Sequence, residues 1–163
     1  MWRTCFSVLI AACIAANACA GEFVIRDTEP AVGSHINRMK LGSPMPFDKR
    51  YDELTPDQRK LIRSKYINLG EEDEPPYPES GYGDVSRQVS RVQEVLNIQG
   101  LLTLTVRVNA AGEGVSVSIY ETPDERASQA VAFAAMKVKY KPAKCAGVPC
   151  EMDFPYSFNF TLR

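Results

Sequence analysis

The sequence predicts an α+β domain in which an antiparallel sheet of about three strands is covered on one face by two helices, as a two-layer sandwich. Three segments of the C-terminal half alternate apolar and polar residues, which is typical of strands with one buried face. Two further segments of that half repeat apolar residues at helical spacing. Stacking both helices on one side of the sheet buries each apolar stripe once and leaves the other side of the sheet in water.

Composition and charge exclude several classes of protein. The chain has 163 residues, of which 45% are apolar, and 19 Lys and Arg stand against 20 Asp and Glu, giving a net charge of −1. A protein that wraps nucleic acid needs a basic excess, which is missing here. The sequence has one histidine, His35, so we expect no metal site, no other cofactor and no histidine-dependent catalytic triad.

Residues 1–20 are predicted to be a secretory signal peptide. Arg3 precedes an apolar stretch from Cys5 to Ala16, and Ala18-Cys19-Ala20 has the small residues of a cleavage site. The apolar stretch is shorter than the roughly 20 residues that a membrane-spanning helix needs. We therefore expect export across the inner membrane into the periplasm. Lipidation at Cys13 and retention of the segment as an anchor remain alternatives.

Cysteine parity favours cleavage after Ala20. Cleavage there removes Cys5, Cys13 and Cys19 and leaves Cys145 and Cys150, an even pair in an oxidising compartment. Four residues separate these two cysteines, and facing strand positions across a turn come within disulfide distance. The sequence therefore predicts a disulfide between Cys145 and Cys150.

Residues 21–74 are predicted to be an irregular arm with one helix near residues 56–69. Thr55, Pro56 and Gln58 give an N-cap, a proline at the first helical position and a capping box. Ile62, Tyr66 and Leu69 then follow on one face, and Gly70 is expected to end the helix. The acidic run at residues 71–74 is expected to be a solvated linker, and the proline-rich residues 75–78 a stiff extended stretch.

The predicted domain occupies residues 75–163. Its first helix is indicated by the helical spacing of Val85, Val89, Val92 and Leu96, followed by Gly100. Residues 102–108 and 115–119 alternate and are separated by a turn, so they predict a hairpin. A second helix is expected to be capped by Thr122, with an apolar face made of Ala127, Ala130, Val131, Ala134 and Val138.

A last extended region is predicted to begin near residue 139, to turn at residues 146–149 and to return from Cys150 to Leu162. The returning strand has Phe154, Tyr156, Phe158, Phe160 and Leu162 on one face. Its other face carries Asp153, Pro155, Ser157, Asn159 and Thr161.

This order of elements resembles the TonB C-terminal domain, over residues 75–163. The resemblance depends on Pro76-Tyr77-Pro78 before the first helix, Tyr140-Lys141-Pro142-Ala143, the turn Gly147-Val148-Pro149 and the final aromatic strand. It implies a periplasmic domain that pairs, through an edge strand, with a short extended segment of an outer-membrane transporter. The pairing surface would be the backbone of residues 150–162, with Pro76, Tyr77 and Pro78 as a secondary contact.

Function is therefore predicted to be non-catalytic binding of an outer-membrane transporter segment or another envelope protein, by a stand-alone domain. The residues expected to face the partner are Pro76, Tyr77, Pro78, Asp153, Pro155, Ser157, Asn159 and Thr161. Pro155 lacks a backbone N–H, which fits a strand at the edge of a sheet. A membrane-anchored component of an energy transducer, and an envelope protein that self-associates as a homodimer through the same edge, are the alternatives.

Overall fold

A computed structural model describes residues 22–25, 35–36 and 48–162. The predicted signal peptide, the alternative lipidation at Cys13 and parts of the arm lie outside these residues, as does Arg163. The chain is a mixed α+β protein, as predicted. The described residues contain three α-helices, α1 (Pro56–Arg63), α2 (Gly83–Leu96) and α3 (Glu125–Lys137), with a short 3-10 turn at Tyr51–Glu53.

The main sheet has four strands in the order β1-β6-β5-β10. The strands, in chain order, are β1 (Glu22–Ile25), β2 (His35–Ile36), β3 (Tyr66–Ile67), β4 (Tyr77–Pro78), β5 (Gly100–Val108), β6 (Gly114–Glu121), β7 (Tyr140–Lys141), β8 (Ala143–Cys145), β9 (Val148–Cys150) and β10 (Met152–Phe160). β5 is antiparallel to β6 and β10, whereas β1 runs parallel to β6. The sheet thus has one strand more than we predicted, and short ladders join β2 to β3, β4 to β7 and β8 to β9.

The core lies on the apolar face of β5 and β10. Leu102, Leu104, Val106 and Phe154 are fully buried there. α3 packs against β5 and β6, and α2 packs against α3. Leu54, Ile62 and Tyr66 belong to the same core, so this part of the predicted arm packs on the domain.

The polar face of the sheet differs from the prediction at its middle. Thr103 and Thr105 of β5 are only 4% and 2% exposed, although we expected this face to lie in water. β5 is an inner strand, and Ser118 and Pro155 stand directly opposite Thr105 on its two neighbours. Small side chains on an inner strand are therefore shielded on both sides.

The helix predicted near residues 56–69 begins as expected but ends at Arg63. The Thr55 hydroxyl accepts a hydrogen bond from the Gln58 backbone N–H, and the Gln58 side chain accepts one from the Thr55 N–H. The Arg63 guanidinium turns the chain back by donating to the carbonyl of Gly70 at 2.6 Å. Tyr66 lies in β3 and is buried, so the prediction that it continues the helix is wrong because tertiary contacts replace the last two turns.

The cap of α3 also differs from the prediction. The N-cap is Asp124, whose carboxylate accepts from the backbone N–H groups of Arg126 and Ala127. Thr122 instead donates its hydroxyl to the Asp124 carbonyl. A carboxylate that takes two N–H groups is a better cap than a hydroxyl that takes one. The buried face of the helix is correspondingly rotated from the predicted one and consists of Ala127, Ser128, Val131, Ala132 and Ala135.

Half of the acidic run is structural, which corrects its prediction as a solvated linker. Asp73 accepts hydrogen bonds from the backbone N–H groups of Gly70 and Ala146, at 2.9 and 2.8 Å. Glu74 exchanges two backbone hydrogen bonds with Lys144, both at 2.8 Å. These contacts fasten the run to the β8–β9 hairpin.

Replacing Asp73 by asparagine is expected to remove an acid-sensitive part of the stability. The N–H groups of Ala146 and Gly70 hold the pKa of Asp73 below its ordinary value of 3.8. The contribution of the Asp73 carboxylate to stability is therefore fully present above the pKa that Asp73 has in the unfolded chain. It is lost as the pH falls through the lower pKa of the folded state. In urea unfolding, Asp73→Asn should therefore lower the free energy of unfolding, relative to the wild type, by more near pH 7 than near about pH 2. The exposed Glu72→Gln is the control, and an equal deficit at both pH values would contradict the prediction.

Candidate functional site at the sheet edge

β10 forms an edge of the main sheet, as the prediction for Pro155 requires. The carbonyls of Asp153 and Pro155 accept hydrogen bonds from the hydroxyls of Tyr66 and Tyr82, which lie outside the main sheet. Because backbone groups alternate in direction along a strand, the odd-numbered residues of β10 direct theirs away from β5, and the even-numbered residues bond to β5. On β10, Phe154 and Tyr156 stand opposite Val106 and Leu104, and their backbone groups face β5. The residues whose backbone N–H and C=O groups face the outer edge, called outward here, are Asp153, Pro155, Ser157 and Asn159.

Pro155 lies where its missing N–H costs no bond within the sheet. The nitrogen faces the outer edge, and the side chain is buried. Its outward carbonyl lies 3.5 Å from the Tyr82 hydroxyl, which donates to it. Burial raises the pKa of Tyr82 well above its ordinary value, which keeps this hydroxyl protonated as a donor.

Asp153 uses both its carbonyl and its carboxylate within the protein. The Tyr66 hydroxyl donates to the carbonyl at 3.0 Å, and burial raises the pKa of Tyr66 well above its ordinary value. The carboxylate receives two hydrogen bonds from Arg107, of 2.8 Å from Nε and 3.2 Å from Nη2. The pair is half-buried, and the hydrogen bond to Asp153 raises the pKa of Arg107.

Ser157 and Asn159 form what we term the open segment of the edge. Ser157 is half-buried and Asn159 is exposed, and within residues 48–162 no side chain or loop occupies their outward N–H and C=O groups. Beyond them, Thr161 lies past the end of β10, and its carbonyl accepts a hydrogen bond from Gln93 Nε2 at 3.1 Å. The eight predicted partner residues thus have different surroundings, and the open segment holds two of them.

The other three predicted contact residues are interior. Pro76, Tyr77 and Pro78 are buried, and β4 pairs with β7. The Tyr77 ring lies 5.9 Å from that of Phe154. This segment therefore holds the core together in the structure, and its predicted secondary contact with a partner stays a prediction.

The predicted disulfide is confirmed. Cys145 and Cys150 are bonded, with their Cα atoms 5.8 Å apart, and close the β8–β9 hairpin. Ala146 and Gly147 make its turn, with φ of 49° and 81°.

The described residues contain no group of three or more His, Cys, Asp or Glu side chains placed to hold a metal ion. Within those residues, no helix has the length and apolar character needed to cross a membrane.

Sequence reasoning missed Tyr66, Tyr82 and Gln93 as residues of this edge. Their bonds to Asp153, Pro155 and Thr161 join positions 87, 73 and 68 residues apart, so no local pattern signals them. No family model, curated protein or solved structure matches the chain. The resemblance to the TonB C-terminal domain therefore stays a prediction from motifs.

Proposed function

We propose that the protein is an exported, non-catalytic binding module that pairs with an extended segment of an outer-membrane transporter or another envelope protein. The partner adds a strand to β10. One observation carries this proposal: β10 is an edge strand whose outward backbone groups at Ser157 and Asn159 are unoccupied within residues 48–162. Such groups are the template that strand addition uses.

The proposed architecture is the two-layer arrangement of the TonB C-terminal domain. In it, α2 and α3 cover the apolar face of β6, β5 and β10, and an arm precedes them. Packing of α3 on β5 and β6, and of α2 on α3, supports this arrangement. The paired Cys145 and Cys150 are compatible with an oxidising compartment such as the periplasm.

Recognition at this edge is expected to rest on backbone pairing more than on charge. Ser157 and Asn159 are uncharged, and the whole chain has a net charge of −1. Long-range steering by charge is therefore weak. Each backbone hydrogen bond to the partner contributes about 1 kcal/mol, and binding should change little with salt.

Replacing Asn159 by proline is expected to weaken partner binding at least about fivefold, because it removes one outward N–H worth about 1 kcal/mol. The inner ladder keeps its bonds, since the lost N–H faces the edge. Asn159→Ala is the matched control, because it removes the side chain and keeps the backbone donor. The measurement is an NMR titration with synthetic peptides that copy the periplasmic segments of the transporters in the same cell.

Binding that survives in Asn159→Pro, or that is lost equally in Asn159→Ala, would contradict backbone pairing at this position. Absence of binding by every peptide would reject transporters as partners. A concentration-dependent dimer that Asn159→Pro abolishes would instead favour self-pairing through the same edge.

A further inference from the structure

We infer that the protein closes both ends of its own β10 edge, so that strand addition is confined to Ser157–Asn159. This inference rests on the proposed function. Tyr66 and Tyr82 close the first half of the edge, and Gln93 closes the far end. The partner strand is therefore short, and its register is fixed by the protein.

The first closure consists of two tyrosine hydroxyls and one proline. Tyr66 and Tyr82 are 7% and 6% exposed, and their hydroxyls bond to the carbonyls of Asp153 and Pro155. At Asp153 and Pro155 both carbonyls are already bonded and the proline has no N–H. An incoming strand would therefore have to displace two hydroxyl hydrogen bonds to pair there.

The two tyrosines reach the edge from different parts of the chain. Tyr66 lies in β3, after α1, and Tyr82 is the residue before α2. The Tyr82 ring also packs on Phe154 and Tyr156, at 5.7 and 5.3 Å. Its hydroxyl is therefore held in place by the core and cannot swing away without exposing aromatic surface.

The second closure comes from the end of α2. Gln93 Nε2 donates to the Thr161 carbonyl and to the Ile98 carbonyl, both at 3.1 Å. Tyr82 and Gln93 therefore hold β10 at the two ends of one helix. Between these two contacts the outward residues are Ser157 and Asn159.

The partner that fits this opening is an extended segment that pairs over about three residues. Ser157 and Asn159 offer two N–H and two C=O groups to it. Side chains of the added strand beside Ser157 and Asn159 would be uncharged and polar, and the one beside the half-buried Phe158 would be apolar. With so few backbone bonds, exchange of the partner should be fast.

The test compares the wild type with a double variant that carries both Tyr66→Phe and Tyr82→Phe. Phenylalanine keeps the ring and removes the donor. Tyr140→Phe is the control, because its hydroxyl bonds to the Ala135 carbonyl at 2.7 Å inside the core. The readout is the carbonyl chemical shift of Asp153 and of Pro155 in a three-dimensional HNCO spectrum. Both shifts should change in the double variant and remain unchanged in the control.

The binding footprint of the transporter peptides is measured on the same proteins. In the wild type, slowed amide exchange should be confined to Ser157 and Asn159. In the double variant, which frees the carbonyls of Asp153 and Pro155, it should extend to Asp153, with binding about fivefold tighter for each carbonyl that the partner bonds.

A wild-type footprint that reaches Asp153, or unchanged carbonyl shifts in the double variant, would overturn the closure and leave strand addition standing. Changed shifts together with no binding by any peptide would uphold the closure and reject the proposed function. The two failures are therefore distinguishable.

Discussion

Replacing Phe154 by alanine is expected to lower the free energy of unfolding by about 3–5 kcal/mol. The side chain is fully buried, and its ring is surrounded by those of Tyr77, Tyr82, Tyr140 and Tyr156, with centroids 5.9, 5.7, 5.9 and 5.0 Å away. Truncation removes the contacts with all four rings and leaves a cavity that rigid aromatic neighbours fill poorly. Urea unfolding followed by tyrosine fluorescence measures the loss.

Phe133→Ala is the matched control for that prediction. Phe133 lies on α3 and is 63% exposed, with the Lys137 ammonium 4.3 Å from the centre of its ring. The same substitution there should cost less than about 1 kcal/mol. Similar losses at the two positions would refute the aromatic cluster as the centre of the core.

Replacing Gly112 by alanine is expected to destabilise the protein by about 3 kcal/mol, at the upper end of the usual range for one substitution. Gly112 has φ +78°, where a side chain is strained, and a Cβ atom would lie 2.1 Å from the Tyr140 carbonyl oxygen. The backbone cannot move away easily, because the Tyr140 N–H donates to the Gly112 carbonyl at 2.9 Å. Thermal unfolding followed by circular dichroism measures the change.

Gly147→Ala is the control that separates the strain of a positive φ from the steric clash with Tyr140. Gly147 has φ +81°, and a Cβ atom there would meet no described atom within 4 Å. This substitution should therefore cost only the conformational part, about 1 kcal/mol. Equal losses at the two glycines would show that the contact with Tyr140 contributes nothing.

Local patterns predicted the elements whose signals lie close together in the sequence. The capping box at Thr55 and Gln58 formed as expected, and so did the valine stripe of α2 and the β5–β6 hairpin. Local signals failed where a distant group supplied a better partner. Tyr66 fits a helical face by spacing, yet its hydroxyl reaches β10, and the chain leaves the helix to place it there.

Predictions for the site were also limited by contacts between residues that are far apart in the sequence. Alternation placed Pro155, Ser157 and Asn159 on one strand and on one face of it. Which outward groups were already occupied depended on Tyr82 and Gln93, whose contacts with β10 have no signature in the sequence. The pairing of Tyr77 with Lys141, which buries the Tyr-Pro segment, is equally non-local.

The position of β10 in the chain has a consequence for the order of folding. β10 pairs with β5 and contributes Phe154 and Tyr156 to the core, yet it is synthesised after every other described element. The β5–β6 hairpin is local and can form early, but the aromatic core cannot close until β10 has joined it. We therefore expect the docking of β10 on this hairpin to be the step that completes the core.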